Sequence, residues 1–275
     1  MYMIQIFLAC LCLGWGFQSP ETGRELSPAE PAPYVEREQK QFDFYPGGKL
    51  QIIAAAAGNV KIVGWQRASI LVETERIIHG LPPEKAQEFA RQHPVQIRYD
   101  QTSSTIQSSR PVPTTVPMEV NITLYVPKEK TDIKASITKG DFAVDGINGW
   151  IEATLNEGNL EAKFLSGYFS AAMQRGHVSV ELSGKRWSGL EFAAITQAGD
   201  VRLLLPNNYS TALNLETRDG NIAISYPDQV VDGQTVPLAV AIRKKASTMS
   251  AKLGDGGSPV RILTMAGDVS LSAAK

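Results

Sequence analysis

Gly140, Gly149, Gly158, Gly167 and Gly176 follow one another at a strict nine-residue spacing. Small or apolar residues occupy the second, fourth and sixth positions after each glycine: Phe142, Val144 and Gly146; Ile151, Ala153 and Leu155; Leu160, Ala162 and Phe164; Phe169, Ala171 and Met173; Val178, Val180 and Leu182. Alternation with a period of two puts one set of side chains on one face of a strand. The polar remainder of each nine-mer ends in glycine, which supplies the backbone freedom of a tight corner. Each nine-mer therefore reads as one short strand and one turn, with the apolar sets facing inward.

A second period lies over the first. Gly140, Gly158 and Gly176 precede the polar residues Asp141, Asn159 and His177, whereas Gly149 and Gly167 precede the aromatic residues Trp150 and Tyr168. Like corners recur every second unit, which predicts coils of two strands and two different corners. A single short strand cannot bury its apolar face alone, but stacked coils share a core between two parallel sheets. An antiparallel meander would also alternate its turns. The repeat glycines are followed by Asp, Asn, His or an aromatic residue, a turn chemistry unlike the two-residue hairpin signal seen at Asp219-Gly220 and Asp255-Gly256, and this favours the coil. The expected fold is all-β, a right-handed parallel β-solenoid (β-helix) of short strands with glycine corners and one short helical insertion.

The pattern continues more loosely at Gly58-Asn59-Val60, Gly199-Asp200-Val201, Gly220-Asn221-Ile222 and Gly267-Asp268-Val269. The solenoid should therefore occupy residues 41–275, with an insertion at about 78–117. That insertion holds one helix candidate, Pro82 to His93, in which Ala86, Phe89 and Ala90 share a face. Val95 to Tyr99 reads as a strand, 101–117 as a Ser/Thr/Pro-rich loop and 228–235 as another loop. The segment from Arg261 to Leu271 should cap the far end.

Residues 1–16 are almost wholly apolar but too short to span a bilayer. They read as a secretory signal, with Gly14-Trp15-Gly16 as a cleavage region. Residues 17–40, rich in Pro and Glu, read as a disordered tether. The two cysteines, Cys10 and Cys12, both fall in the signal, so no disulfide or thiol chemistry is expected in the mature chain. Phe7-Leu8-Ala9-Cys10 is close to a lipoprotein box, but the apolar run before it is short for lipid anchoring. A net charge of −1 provides no basic field for nucleic acid or anionic lipid. No second apolar run suggests a membrane-spanning segment.

The chain also resembles a bacterial family of uncharacterised exported domains labelled as adhesins. The likeness is carried by Gly58-Asn59-Val60-Lys61-Ile62-Val63-Gly64-Trp65, by Ile122-Thr123-Leu124-Tyr125-Val126-Pro127, by Leu213 through Ile222, and by Lys252 through Val269. The resemblance covers about residues 42–272. It implies a β-helix-like fold and an exported or surface location, and it implies no catalytic residues.

Chemistry is sparse. His79, His93 and His177 have no metal-ligand spacing. The nucleophile elbow, the P-loop and the dinucleotide fingerprint are absent. Gly254-Asp255-Gly256-Gly257 lacks the tandem copies of a calcium repeat and reads as a turn. Asp141, Asp200 and Asp268 share one place in the motif, as turn residues bonding nearby backbone. No catalytic residue, metal or cofactor is therefore expected.

The candidate binding residues are an aromatic row. Trp150 and Tyr168 stand one coil apart, about 4.8 Å along the stack, and Trp187 lies one residue off the next step beside Lys185 and Arg186. Such a row could hold a glycan or a peptide of an envelope or surface protein, or simply cover the glycine corners. The expected function is an exported, non-enzymatic scaffold at the cell surface or in the envelope. The alternatives are a carbohydrate-active β-helix enzyme of the polysaccharide-lyase kind and a periplasmic partner in envelope signalling.

Overall fold

The computed structural model describes residues 32–110, 115–231 and 234–274. The expected signal, the lipid-anchor reading of Cys10 and most of the expected tether lie outside the described residues. The chain opens with β1 (Tyr34–Asp43), β2 (Lys49–Ala57), β3 (Val60–Trp65) and β4 (Ser69–Ile78), followed by α1 (Pro83–Gln92). Next come β5 (Gln96–Tyr99), β6 (Ser103–Ser108) and β7 (Met118–Pro127). The glycine block forms β8 (Glu129–Lys139) with β9 (Phe142–Asp145), β10 (Asn148–Glu157) with β11 (Leu160–Lys163), and β12 (Ser166–Arg175) with β13 (Val178–Glu181). A looser copy gives β14 (Gly189–Ala198) with β15 (Val201–Leu205). The remainder is β16 (Thr211–Thr217), β17 (Ile222–Ser225), a ribbon of β18 (Gln229–Val231) and β19 (Gln234–Val236), then β20 (Ala241–Arg243), β21 (Ala246–Leu253), β22 (Pro259–Thr264) and β23 (Val269–Ala273).

The strands pair in two parallel ladders. One runs β6, β2, β8, β10, β12, β14, β22, β16. The other runs β7, β3, β9, β11, β13, β15, β23, β17. Within the glycine block the registers match like with like: Gly149 opposes Gly167, Ile151 opposes Phe169, and Leu160 opposes Val178. These parallel registers exclude the antiparallel meander. Phe142, Leu160 and Val178 are buried, as the alternation requires. Phe169 and Phe192 stack in the interior with ring centroids 4.6 Å apart.

The stacking order departs from chain order at both ends. The pair β2–β3 lies between β6–β7 and β8–β9. The last pair, β22–β23, slots between β14–β15 and β16–β17. The expected terminal cap from Arg261 to Leu271 is thus an interior coil. Its local pattern is that of any rung, so alternation alone cannot say which neighbours it takes.

Antiparallel strands blunt the ends of the ladders. On one side β5 covers β6, and β4 followed by β1 extends outward from β7. On the other, β21 and β20 follow β16. Covering an open edge removes a template for further strand addition. The folded part takes in residues 34–40, assigned above to the tether, because β1 pairs along its whole length with β4. Part of the expected loop 101–117 is likewise a strand. In β6, Ser104, Ile106 and Ser108 alternate inward, and Ser108 Oγ accepts the Ala56 N–H. Residues 229–236 include the small β18–β19 ribbon in place of the expected loop.

Helix α1 lies where the sequence places it and buries Ala86, Phe89 and Ala90. Among the described residues, no helix is long and apolar enough to cross a membrane.

Candidate functional site

Two lines of corners run along the stack. At the first, the coils from β2–β3 through β16–β17 pass from the β2-containing ladder to the β3-containing ladder through a glycine and a polar residue. The polar residues form a chain of side-chain to backbone hydrogen bonds between coils. Asn59 Oδ1 accepts the Asp141 N–H at 2.9 Å, Asp141 Oδ1 accepts the Asn159 N–H at 2.8 Å, and Asn159 Oδ1 accepts the His177 N–H at 3.1 Å. The chain continues through His177 Nδ1, Asp200 Oδ1 and Asp268 Oδ1 to the Asn221 N–H. The aspartates are thus turn residues whose bonds reach the next coil, and one oxygen of each is committed to an amide. Beside this corner a hollow of about 910 Å³ runs over the second ladder, floored by Ala143, Ser179 and Ala223.

His177 is the odd member. Its Nδ1 accepts the Asp200 N–H at 3.2 Å and stands 3.6 Å from Asp200 Oδ2. In the coil before it the amide oxygen of Asn159 performs the same task. His177→Asn is therefore expected to leave the melting temperature unchanged or raise it. His177→Ala should cost about 1 kcal/mol by stranding the amide. Equal unfolding midpoints for the two variants in urea would remove the bond from the account.

Among the described residues, no group of three or more His, Cys, Asp or Glu converges as metal ligands. Gly254 through Gly257 is a turn, in which the Gly256 N–H donates to Leu253 O and the Asp255 N–H to Ser210 Oγ.

The second line of corners carries the aromatic residues. Trp150 and Tyr168 are in register, and their rings stack at 3.9 Å between centroids with 24° between planes. Trp150 Nε1 donates to Glu152 Oε1 at 2.9 Å. Both residues follow a second glycine column: a Cβ on Gly167 would meet Gly149 O at 2.2 Å. Each ring thus spends one face on the other, and the pair covers a corner that has no side chain of its own.

Trp187 does not join them. It is only 2% exposed and meets Phe192 edge-on at 5.4 Å, and its indole N–H has no hydrogen-bond partner among the described residues. The corner from Leu182 to Gly189 is longer than its predecessors, and the Arg186–Ser210 bridge holds its backbone while Trp187 turns inward. The place opposite Tyr168 goes to Glu191, and a bulge leaves Leu190 outside the register.

Phe164 also reverses its expected side. Alternation assigns it to the core, yet it is exposed and Leu165 takes the inward place. The strand ends at Lys163, and Phe164 turns the chain at φ +52°, where the coil below has Gly146 at φ +68°. A bulky residue in this left-handed conformation costs about 1–2 kcal/mol. The equivalence of Phe164 with Gly146 was the available sequence signal. Beside it, the Lys163 ammonium lies 2.5 Å from Glu161 Oε1, and that hydrogen bond, with the charges of Glu161, Glu181 and Asp145, raises its pKa against the effect of burial. Lys185 and Arg186 are exposed and form no ion pair among the described residues.

No known protein family matches the sequence, and no curated protein does. Solved structures do resemble it. A candidate cell adhesion protein from Clostridium sporogenes is 12% identical, with a TM-score of 0.40, over 87% of this chain and 100% of that one. A candidate adhesin from Bacteroides fragilis is 11% identical, with a TM-score of 0.26, over 87% of this chain and 97% of that one. Another, from Parabacteroides distasonis, is 11% identical, with a TM-score of 0.26, over 86% and 97%.

Proposed function

We propose that the chain is an exported, non-enzymatic β-solenoid, wound right-handed, that serves as an adhesin-like scaffold at the cell surface or in the envelope. The observation that carries this reading is the aromatic corner: Trp150 and Tyr168 stand in register on a backbone stack whose glycine columns leave little room to deform. Such a rod presents side chains at fixed spacing, which suits contact with an extended partner such as a glycan or a surface protein. Trp150 and Tyr168 are its proposed contact residues. The first corner offers hydrogen-bonded carboxylates facing water, which fits a structural ladder better than a catalytic pair.

The test is to screen the chain against a glycan array and immobilised envelope extracts, in parallel with turnover assays on polysaccharides. Retention that falls in a Trp150→Ala, Tyr168→Ala double variant of unchanged fold supports the reading. Cleavage of any polysaccharide would sink the non-enzymatic assignment.

A further inference from the structure

Trp150 has a second face. Tyr168 covers the first from the β12 side, and on the other side the register places Asp132 of β8. A short carboxylate cannot cover an indole. The ring is 41% exposed and walls one end of a hollow of about 450 Å³. This hollow lies over the outward face of the first ladder, from β10 across β8 and β2 to β6. Three steps of about 4.8 Å between strands make it about 14 Å long. Its volume falls in the range of about 300–1,000 Å³ usual for small-ligand clefts.

The ring is held in place before any ligand arrives. Tyr168 backs it, and Trp150 Nε1 donates to Glu152 Oε1 at 2.9 Å, which fixes its rotation. Among the described residues no cationic side chain lies over it. The rest of the wall is polar and uncommitted. Lys49, Gln51, Ser103, Thr105, Asp132 and Lys134 line the hollow, and among the described residues none of them spends its side chain on a hydrogen bond or ion pair.

The charges restrict the ligand. Two ammonium groups, Lys49 and Lys134, share the wall with two carboxylates, Asp132 and Glu152. A ligand of either net charge therefore meets repulsion as well as attraction. What fits is an uncharged molecule with one apolar face and hydrogen-bonding groups of both kinds. A hexopyranose has both: its axial C–H groups form a face that lies flat on an aromatic ring, and its hydroxyls donate and accept around the rim. An added peptide strand bonds through its backbone at a sheet edge, whereas this hollow lies over a sheet face.

We propose that the hollow is a subsite for a neutral oligosaccharide, with one sugar ring stacked on the free face of Trp150 and the chain running along the stack toward β6. The assignment rests on the scaffold reading above and narrows its partner to an uncharged glycan.

The experiment titrates neutral oligosaccharides of gluco, manno and galacto configuration, and their uronic-acid counterparts, into the full chain by calorimetry. Retention of the chain on immobilised envelope proteins is measured beside it. At least one neutral series should bind, more tightly than its acidic counterpart and with little change between low and physiological salt. Asp132→Phe should weaken binding at least about tenfold, because the new ring covers the free face of Trp150. An aromatic residue beside another on a strand should leave the melting temperature unchanged or raise it. Lys49→Ala with Lys134→Ala should weaken binding about tenfold. Parent-like binding by Asp132→Phe would overturn the subsite, as would tighter binding of the acidic sugars. Retention on envelope protein without sugar binding would overturn it and leave the scaffold reading standing, whereas loss of both would remove the two together.

Discussion

Gly158→Ala is expected to unfold the stack, or to bring it close to unfolding, at moderate temperature. The added Cβ would lie 2.0 Å from Gly140 O in the coil below, a distance no packed carbon tolerates. Nothing flexible can yield, because the obstacle is backbone. Gly140 is itself pinned, with a Cβ that would meet Gly58 O at 1.9 Å, and Gly176 repeats the relation above with Gly158 O at 1.8 Å. Relief would require prising two coils apart and breaking the bonds that join them, among them Gly140 N–H to Glu157 O and Gly158 N–H to Arg175 O. The residue also sits at φ +135°, where strain alone costs on the order of 1–3 kcal/mol. With the separation of coils added, the loss should reach at least about 3 kcal/mol, a large part of the 5–15 kcal/mol that holds a typical domain together. Gly146→Ala is the control. Gly146 also has a positive φ, but nothing lies within 4 Å of its Cβ, so the loss there should stay near 1 kcal/mol. Urea unfolding of the two variants separates strain from backbone collision, and similar midpoints would refute the tight glycine column.

That contrast marks where the sequence could be read and where it could not. The nine-residue glycine spacing was legible because each corner needs a residue without a side chain, and the eighteen-residue recurrence showed which corners share a column. The pairing of Trp150 with Tyr168 followed from the same count. What the rings do with their faces did not, because ring orientation is set by neighbouring groups such as Glu152. Phe164 was misplaced because alternation presumes that the strand continues, while the chain turns after Lys163 with a phenylalanine in a glycine conformation. The position of β22–β23 was invisible for a different reason. Its inward set of Val260, Ile262, Val269 and Leu271 suits any coil of the stack, so only pairing across the whole fold selects the slot beside β14–β15. At the other end, β6 hides its strand character behind serines, which satisfy inward places at a rung where Ser104 and Ser108 are buried. In the polar corner the residue types announced a turn, but the partner amides belong to other coils, and no local window contains them.

The end of the stack near β1 depends on a buried charge that the sequence did not single out. Arg76 is 3% exposed. Its Nη2 meets Glu36 Oε2 at 3.1 Å and Glu38 Oε1, while its Nη1 donates to Ala90 O at 2.7 Å and His93 O at 3.2 Å. One guanidinium thus neutralises two carboxylates on β1 and satisfies two carbonyls at the C-terminal end of α1, where the helix has no internal donors left. Arg76→Met should cost about 3 kcal/mol, mainly because Glu36 Oε2 is buried and would lose its countercharge. If that is the cause, adding Glu36→Gln and Glu38→Gln to Arg76→Met should restore part of the loss, since no unpaired charge is then left behind. The damage should also be local. Coils contact only their neighbours, so hydrogen exchange is expected to quicken in β1, β4 and α1 while the amides of β10 to β15 keep their protection. A loss below about 1 kcal/mol, or exchange that quickens evenly along the stack, would mean that the cap is held by its apolar contacts and that Arg76 contributes little.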